Sequence, residues 1–209
     1  MTKRTAALTA LLVSACVVCP EEVFVPSAWC NALPFATVTP QWEDIRVPVS
    51  SMDPGATPPD PIIFGPGGSV RIRGFDGNAT VESMDFSIQL PHSYKEGTNL
   101  LPHVHWCPTT NNHGNVTLWL DYYWLNIGGL IPALSQWNTG AVPASEIAWQ
   151  HQVSDFLPIG GAGKLISSML MCRISRYPAA DSYPDDAGLL AVDFHFQLDS
   201  VGSRTETQK

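Results

Sequence analysis

Over 42–49, and again from residue 69 to 198, runs of the chain alternate apolar and polar side chains with a period of two. That is the pattern of half-buried strands rather than helices. In 42–49, Ile45, Val47 and Val49 share one face. Around 70–75, Val70, Ile72 and Gly74 alternate with Arg71, Arg73 and Phe75, and Asp76-Gly77-Asn78 supplies a turn. Residues 80–90 read as the next strand, with Met84, Phe86, Ile88 and Leu90 on one side, and Pro91 ends it. Another extended stretch covers 101–107. The longest candidate is 115–127. Both of its faces, Val116-Leu118-Leu120-Tyr122-Trp124 and Thr117-Trp119-Asp121-Tyr123-Leu125, are apolar or aromatic, which predicts a central place in a sheet. Within 144–156, Ile147, Trp149, His151 and Val153 favour a strand over a short helix. Residues 165–177 form a further run. In 189–198, Leu190, Val192, Phe194, Phe196 and Leu198 form an apolar face, opposite Asp193, His195 and Gln197.

Turn-forming residues separate these runs. Residues 51–68 read as a long loop, because Pro59 and Pro61 exclude a helix there. About eight strands divided by such turns predict an all-β protein: an antiparallel β-sandwich, with the jelly roll as leading topology. The expected organisation is an extended apolar and proline-containing N-terminal arm over 1–40, the sandwich over 41–206 and a polar tail at 207–209. The arm carries Lys3 and Arg4 ahead of an apolar stretch from 6 to 18. This looks like a secretory leader and is too short for a comfortable membrane span. Val13-Ser14-Ala15-Cys16 also resembles a lipoprotein processing box. The reading adopted is a retained arm that packs against a neighbour, with export or lipidation at Cys16 as the alternative.

Composition narrows the function classes. Eleven Lys and Arg stand against nineteen Asp and Glu, a net charge of −8, which argues against nucleic-acid binding. With 44% apolar and 14% charged residues, disorder of the whole chain is excluded. The five cysteines, Cys16, Cys19, Cys30, Cys107 and Cys172, are odd in number and define no disulfide framework. Cys16 and Cys19 form a CxxC with no second pair to complete a zinc ribbon. Cys107 and Cys172 read as small core residues. Asn78-Ala79-Thr80 and Asn115-Val116-Thr117 fit the glycosylation sequon but imply nothing without a secretory context.

Few residues suggest chemistry. In a strand, His103 and His105 of His103-Val104-His105-Trp106 project to one face and can share a metal ion. Completing such a site needs a third histidine and a carboxylate. His151, His195, Asp193 and Asp121 qualify only if the topology brings them alongside. Otherwise the two histidines belong to a polar seam or a subunit contact, and that structural reading is the one adopted. His151-x-x-Ser154-Asp155 does not establish a triad, and no Gly-x-Ser-x-Gly elbow occurs. A carboxylate pair drawn from Asp121 and Asp193 has no positional support. Gly160-Gly161-Ala162-Gly163-Lys164 lacks the first glycine and the final Ser or Thr of a phosphate loop, having Pro158 and Leu165 there. The expectation is therefore a protein that is not an enzyme, with no assigned catalytic, cofactor-binding or metal residue. Among the aromatics, the core is the expected place for Trp119 or Trp124, and Trp137, read as lying in a loop, is the better candidate for a contact.

Five strings in order carry a resemblance: 42–48 (Trp42 to Pro48), 89–98 (Gln89 to Thr98), 102–106 (Pro102 to Trp106), 163–170 (Gly163 to Leu170) and 193–204 (Asp193 to Arg204). Together they resemble a family of small proteins encoded by tailed bacteriophages, over about residues 41–206. Residues 1–40 do not match its pattern. The resemblance implies a virion component or accessory protein and carries no active-site assignment over to this chain. A head decoration or cement protein is the leading form, commonly a trimer, with the major capsid protein or other virion proteins as partners. Direct contact with nucleic acid or membrane is not expected. A tail or fibre module touching the host surface is the alternative, followed by a secreted or lipid-anchored β-sandwich.

Overall fold

The computed structural model describes residues 40–77, 81–203 and 205. The arm expected over 1–40 lies outside the described residues except for Pro40, and so does the tail at 207–209. Thirteen strands follow in order: β1 (Gln41–Pro48), β2 (Asp53–Pro54), β3 (Asp60–Ile63), β4 (Arg71–Phe75), β5 (Glu82–Gln89), β6 (Leu101–Pro108), β7 (Asn115–Val116), β8 (Leu118–Leu125), β9 (Ser135–Asn138), β10 (Val142–Pro143), β11 (Gln152–Asp155), β12 (Met169–Arg176) and β13 (Ala187–Leu198). Helical structure among the described residues is confined to two three-residue 3-10 turns, Val49–Ser51 and Pro178–Ala180. None of it is long and apolar enough to cross a membrane.

The strands make an antiparallel β-sandwich. One sheet runs β11-β6-β13-β4-β3, with β1 also paired to β13; the other runs β2-β5-β12-β8-β9. A two-stranded ribbon, β10-β7, stands apart. The chain changes sheet at most connections, in the manner of a jelly roll. Period-two alternation explains why the two sheets face each other. Met84, Phe86 and Ile88 of β5, Leu118, Leu120, Tyr122 and Trp124 of β8, and Leu170, Cys172 and Ile174 of β12 point inward from one sheet. Val104 and Trp106 of β6 and Val192, Phe194 and Phe196 of β13 meet them from the other. Each fully buried large apolar side chain contributes roughly 1.5–3 kcal/mol relative to exposure. The indole N–H groups of Trp106 and Trp124 donate to Ser154 Oγ (2.9 Å) and Ser168 Oγ (2.8 Å), so the rings enter the core without losing a hydrogen bond.

Several local expectations change in three dimensions. The proline-rich segment 51–68 is not all loop, since β3 pairs antiparallel with β4 at the sheet edge. There Pro61, which lacks an N–H, is tolerated. Residues 144–156 form a strand only from Gln152, because Glu146 and Trp149 take positive φ (57° and 67°) in a turn. Trp137 is part of β9 and packs against the core rather than standing in a contact loop.

The largest change is in β13. Its register shifts between Leu189 and Ala191, a bulge that turns Leu189 inward and leaves Leu190 half-buried. Before the bulge, Leu189 lies opposite Trp106; after it, Asp193 lies opposite His103. Continued without the shift, Asp193 would face Pro102 and point into the sandwich. One extra residue therefore decides what the outer face carries.

Candidate functional site

The outer face of the six-stranded sheet carries a polar row across four strands. Arg46 of β1 lies opposite Asp193 of β13, Asp193 opposite His103 of β6, and His103 opposite Asp155 of β11. Asp44 lies opposite His195 in the next register position, and His105 occupies the position beyond His103 on the same face. His151 immediately precedes β11.

These side chains touch. His103 Nε2 and His105 Nε2 are 2.9 Å apart, and Asp193 Oδ2 lies 3.4 Å from His105 Nε2 and 3.8 Å from His103 Nε2. Arg46 Nε donates to the same carboxylate oxygen at 3.2 Å. His105 Nδ1 is 2.7 Å from His151 Nε2, and the two rings stack with centroids 4.9 Å apart. His195 stacks on His103 at 4.5 Å, and its Nδ1 contacts Asp44 Oδ1. The Asp193 side chain is 1% exposed, and its other oxygen, Oδ1, is buried with no hydrogen-bond partner. A buried carboxylate with an unpartnered oxygen is costly unless a positive charge faces it.

Burial lowers the pKa of two of these side chains, His103 and His105. His103 lies below its ordinary pKa, chiefly through desolvation and then through His195 and His105, against the opposing pull of Asp193 and Asp155. His105 is also lowered, mainly by desolvation, with Asp193 opposing and His151 and Arg46 adding. Both imidazoles are held toward the neutral form, the form that ligates metal. His103, His105 and Asp193 make up the group whose ligand atoms lie within 4.8 Å of one another.

The other sequence candidates separate. Asp121 is on β8, in the opposite sheet, where it accepts from Gln136, so it forms no pair with Asp193. Ser154 points inward to Trp106 while Asp155 points outward, which dissolves the triad reading. The glycine run at 160–163 is a tight turn: a Cβ on Gly161 would lie 1.7 Å from the Thr98 carbonyl oxygen. Lys164 Nζ donates to the Trp124 carbonyl, so it is engaged within the fold. His92 lies between Ser167 and Ser203, away from the cluster. Cys107 and Cys172 are buried free thiols, and burial pushes Cys107 up to about 12. Sequence reasoning missed Asp44 and Arg46. Their signal was present as two charged residues flanking Ile45 on the outward phase of β1.

Two surfaces complete the picture. A groove of about 490 Å³ lies on the outer face of the five-stranded sheet, lined by Asp85, Asp121, Tyr123, Leu134, Met171 and Arg173 among others. The β8–β9 connection then projects Ile127, Leu130, Ile131 and Leu134 into solvent, with Leu130 93% and Ile131 75% exposed.

Fold and site together define an antiparallel β-sandwich with a histidine–carboxylate cluster on one outer face. No protein-family model matches the chain, and no curated protein matches it in sequence. Among solved structures it is similar to part of the Arthrobacter globiformis T6 isomalto-dextranase complexed with panose, at 13% identity and a TM-score of 0.46, over 72% of this chain and 23% of that one. It is also similar to CBM35 from Cellvibrio japonicus Abf62, at 9% identity and a TM-score of 0.42, over 75% and 99% of the two chains. A third is the CBM36-1 domain of a multidomain xylanase from the hindgut metagenome of Trinervitermes trinervoides, at 13% identity and a TM-score of 0.38, over 77% and 100%.

Proposed function

We propose that this protein is a non-enzymatic structural component of a tailed-phage virion, most simply a head decoration or cement protein. The single observation that carries the contact role is the apolar β8–β9 connection, whose Leu130 and Ile131 stand in water in the free chain. Burying such side chains against a shell protein or a second copy supplies binding energy without chemistry. The net charge of −8 favours a protein surface over DNA as partner. The major capsid protein and further copies of this chain, in a trimer, are the partners this reading names. The virion placement itself rests on the resemblance to the phage family.

A tail or fibre module is the second reading, and the groove beside Tyr123 favours it. An aromatic ring flanked by Asp121 and the Asp85–Arg173 ion pair is the kind of surface on which a sugar stacks and hydrogen-bonds. A subunit-resolved image of the native particle tests both. Many copies on the head, with 127–134 buried at a contact, support the decoration reading. A few copies at the tail transfer it to host attachment, and absence from the particle refutes both.

A further inference from the structure

We propose that His103, His105 and Asp193 bind one divalent transition-metal ion of the zinc class on the outer face of the six-stranded sheet. This goes beyond the virion reading and does not depend on it. The three donor atoms form a triangle with sides of 2.9, 3.4 and 3.8 Å. A point equidistant from all three lies about 2.0 Å from each, which is the bond length of zinc to imidazole nitrogen and carboxylate oxygen. Two imidazoles facing each other through Nε2 across 2.9 Å share at most one proton, whereas a cation between them satisfies both lone pairs.

Four further observations converge on the same point. Asp193 is 1% exposed with one oxygen unpartnered, so the site holds a buried negative charge that Arg46, itself 66% exposed, meets from one side only. Asp44, Asp155 and Asp193 outnumber Arg46 by two charges, and a divalent ion neutralises that excess. With Nε2 of His105 on the metal, its Nδ1–H donates to His151 Nε2 at 2.7 Å, the outer contact that fixes the ring and tautomer of a metal-bound histidine. His103 and His105 are only 9% and 17% exposed, so the sheet holds the ligands preorganised.

The test uses the full chain, purified without a polyhistidine tag, stripped with chelator and titrated with Zn(II) or Co(II). Bound metal is counted by elemental analysis, and the cobalt spectrum reports the ligands. The expected result is one ion per chain with no thiolate-to-cobalt band, which separates this site from Cys16 and Cys19. Binding is lost in His103→Ala and Asp193→Asn, weakened about 10- to 100-fold in His151→Gln, and unchanged in His92→Ala and His113→Ala. Circular dichroism verifies folding of each variant. Should Asp193→Asn fail to fold, His105→Gln, which preserves polarity at a less buried position, carries the same expectation of loss. A wild-type chain that binds no ion overturns the proposal, as does an ion retained in His105→Gln or one that shows a thiolate band.

Discussion

Arg176 is the most demanding polar residue in the fold, and replacing it with methionine tests how the sandwich closes. The side chain is completely buried at the end of β12. Its Nε and Nη2 bind both oxygens of Asp181, at 2.8 and 3.2 Å, and Nη1 donates to the carbonyls of Phe75 and Asp185, each at 2.7 Å. Nη2 also donates to the Tyr183 carbonyl, at 2.5 Å, and the guanidinium lies over the Tyr183 ring. One cation thus ties the 177–186 connection to the end of β4. Arg176→Met keeps most of the volume but leaves the Asp181 carboxylate, 1% exposed, without its counter-charge. Breaking a buried pair from one side costs about 3–5 kcal/mol. For a domain of this size that lowers Tm by about 6–20 °C. Asp181→Ala in the same chain removes the stranded charge, so the double variant should recover part of the loss, with a coupling of about 1–3 kcal/mol. It cannot recover all of it, because three carbonyls still lack their donor. Urea unfolding followed by tryptophan fluorescence and circular dichroism measures both values, provided that the slope with denaturant is unchanged. A single variant within about 1 kcal/mol of wild type would refute the argument, as would a cycle with no coupling.

Two further outcomes follow from the surface and the acidic groups. Leu130→Asp combined with Ile131→Asp should leave the free chain within about 0.5 kcal/mol of wild-type stability, since both positions are exposed. The same change should weaken association with the head, or with further copies, by at least about a hundredfold; sedimentation and particle-binding assays read this, and unaltered association would remove the loop from the contact. Glu82 and Asp186 are both raised from the ordinary carboxylate value, chiefly through desolvation; the charges of Asp76 and Asp60 add in each case, and the hydrogen bond from the Asp76 backbone N–H opposes the rise at Glu82. A raised acid binds more protons folded than unfolded, so stability falls as pH rises from the unfolded value through the raised folded one. Glu82→Gln with Asp186→Asn should flatten that part of a Tm–pH curve. A slope identical to wild type would show that other groups set it.

The inward-facing residues were largely legible because strand alternation is local. Met84, Phe86, Ile88 and Leu90 lie on one buried face, as do Val192, Phe194 and Phe196, wherever their strands are placed. The central position of β8 was legible for a related reason: aromatic and apolar groups on both faces suit a strand flanked by two others, here β12 and β9. What failed locally failed at irregularities. The edge strand β3 hides among prolines, and periodicity places Leu190 in the wrong phase because a bulge leaves no mark in it.

The sequence by itself determined an all-β chain, the inward face of most strands, and the fact that His103 and His105 share a side. It left the partners of those histidines open, because alternation says nothing about which strand lies next door. Only the tertiary structure decided that β13, some 90 residues further along, lies beside β6. The bulge between Leu189 and Ala191 then set Asp193 opposite His103, while β1 and β11 brought Arg46 and His151 from either side. Asp121, an equally plausible carboxylate on paper, went to the other sheet. Pairing between strands distant in sequence is fixed by the packing of the whole core, and that is where the site was made.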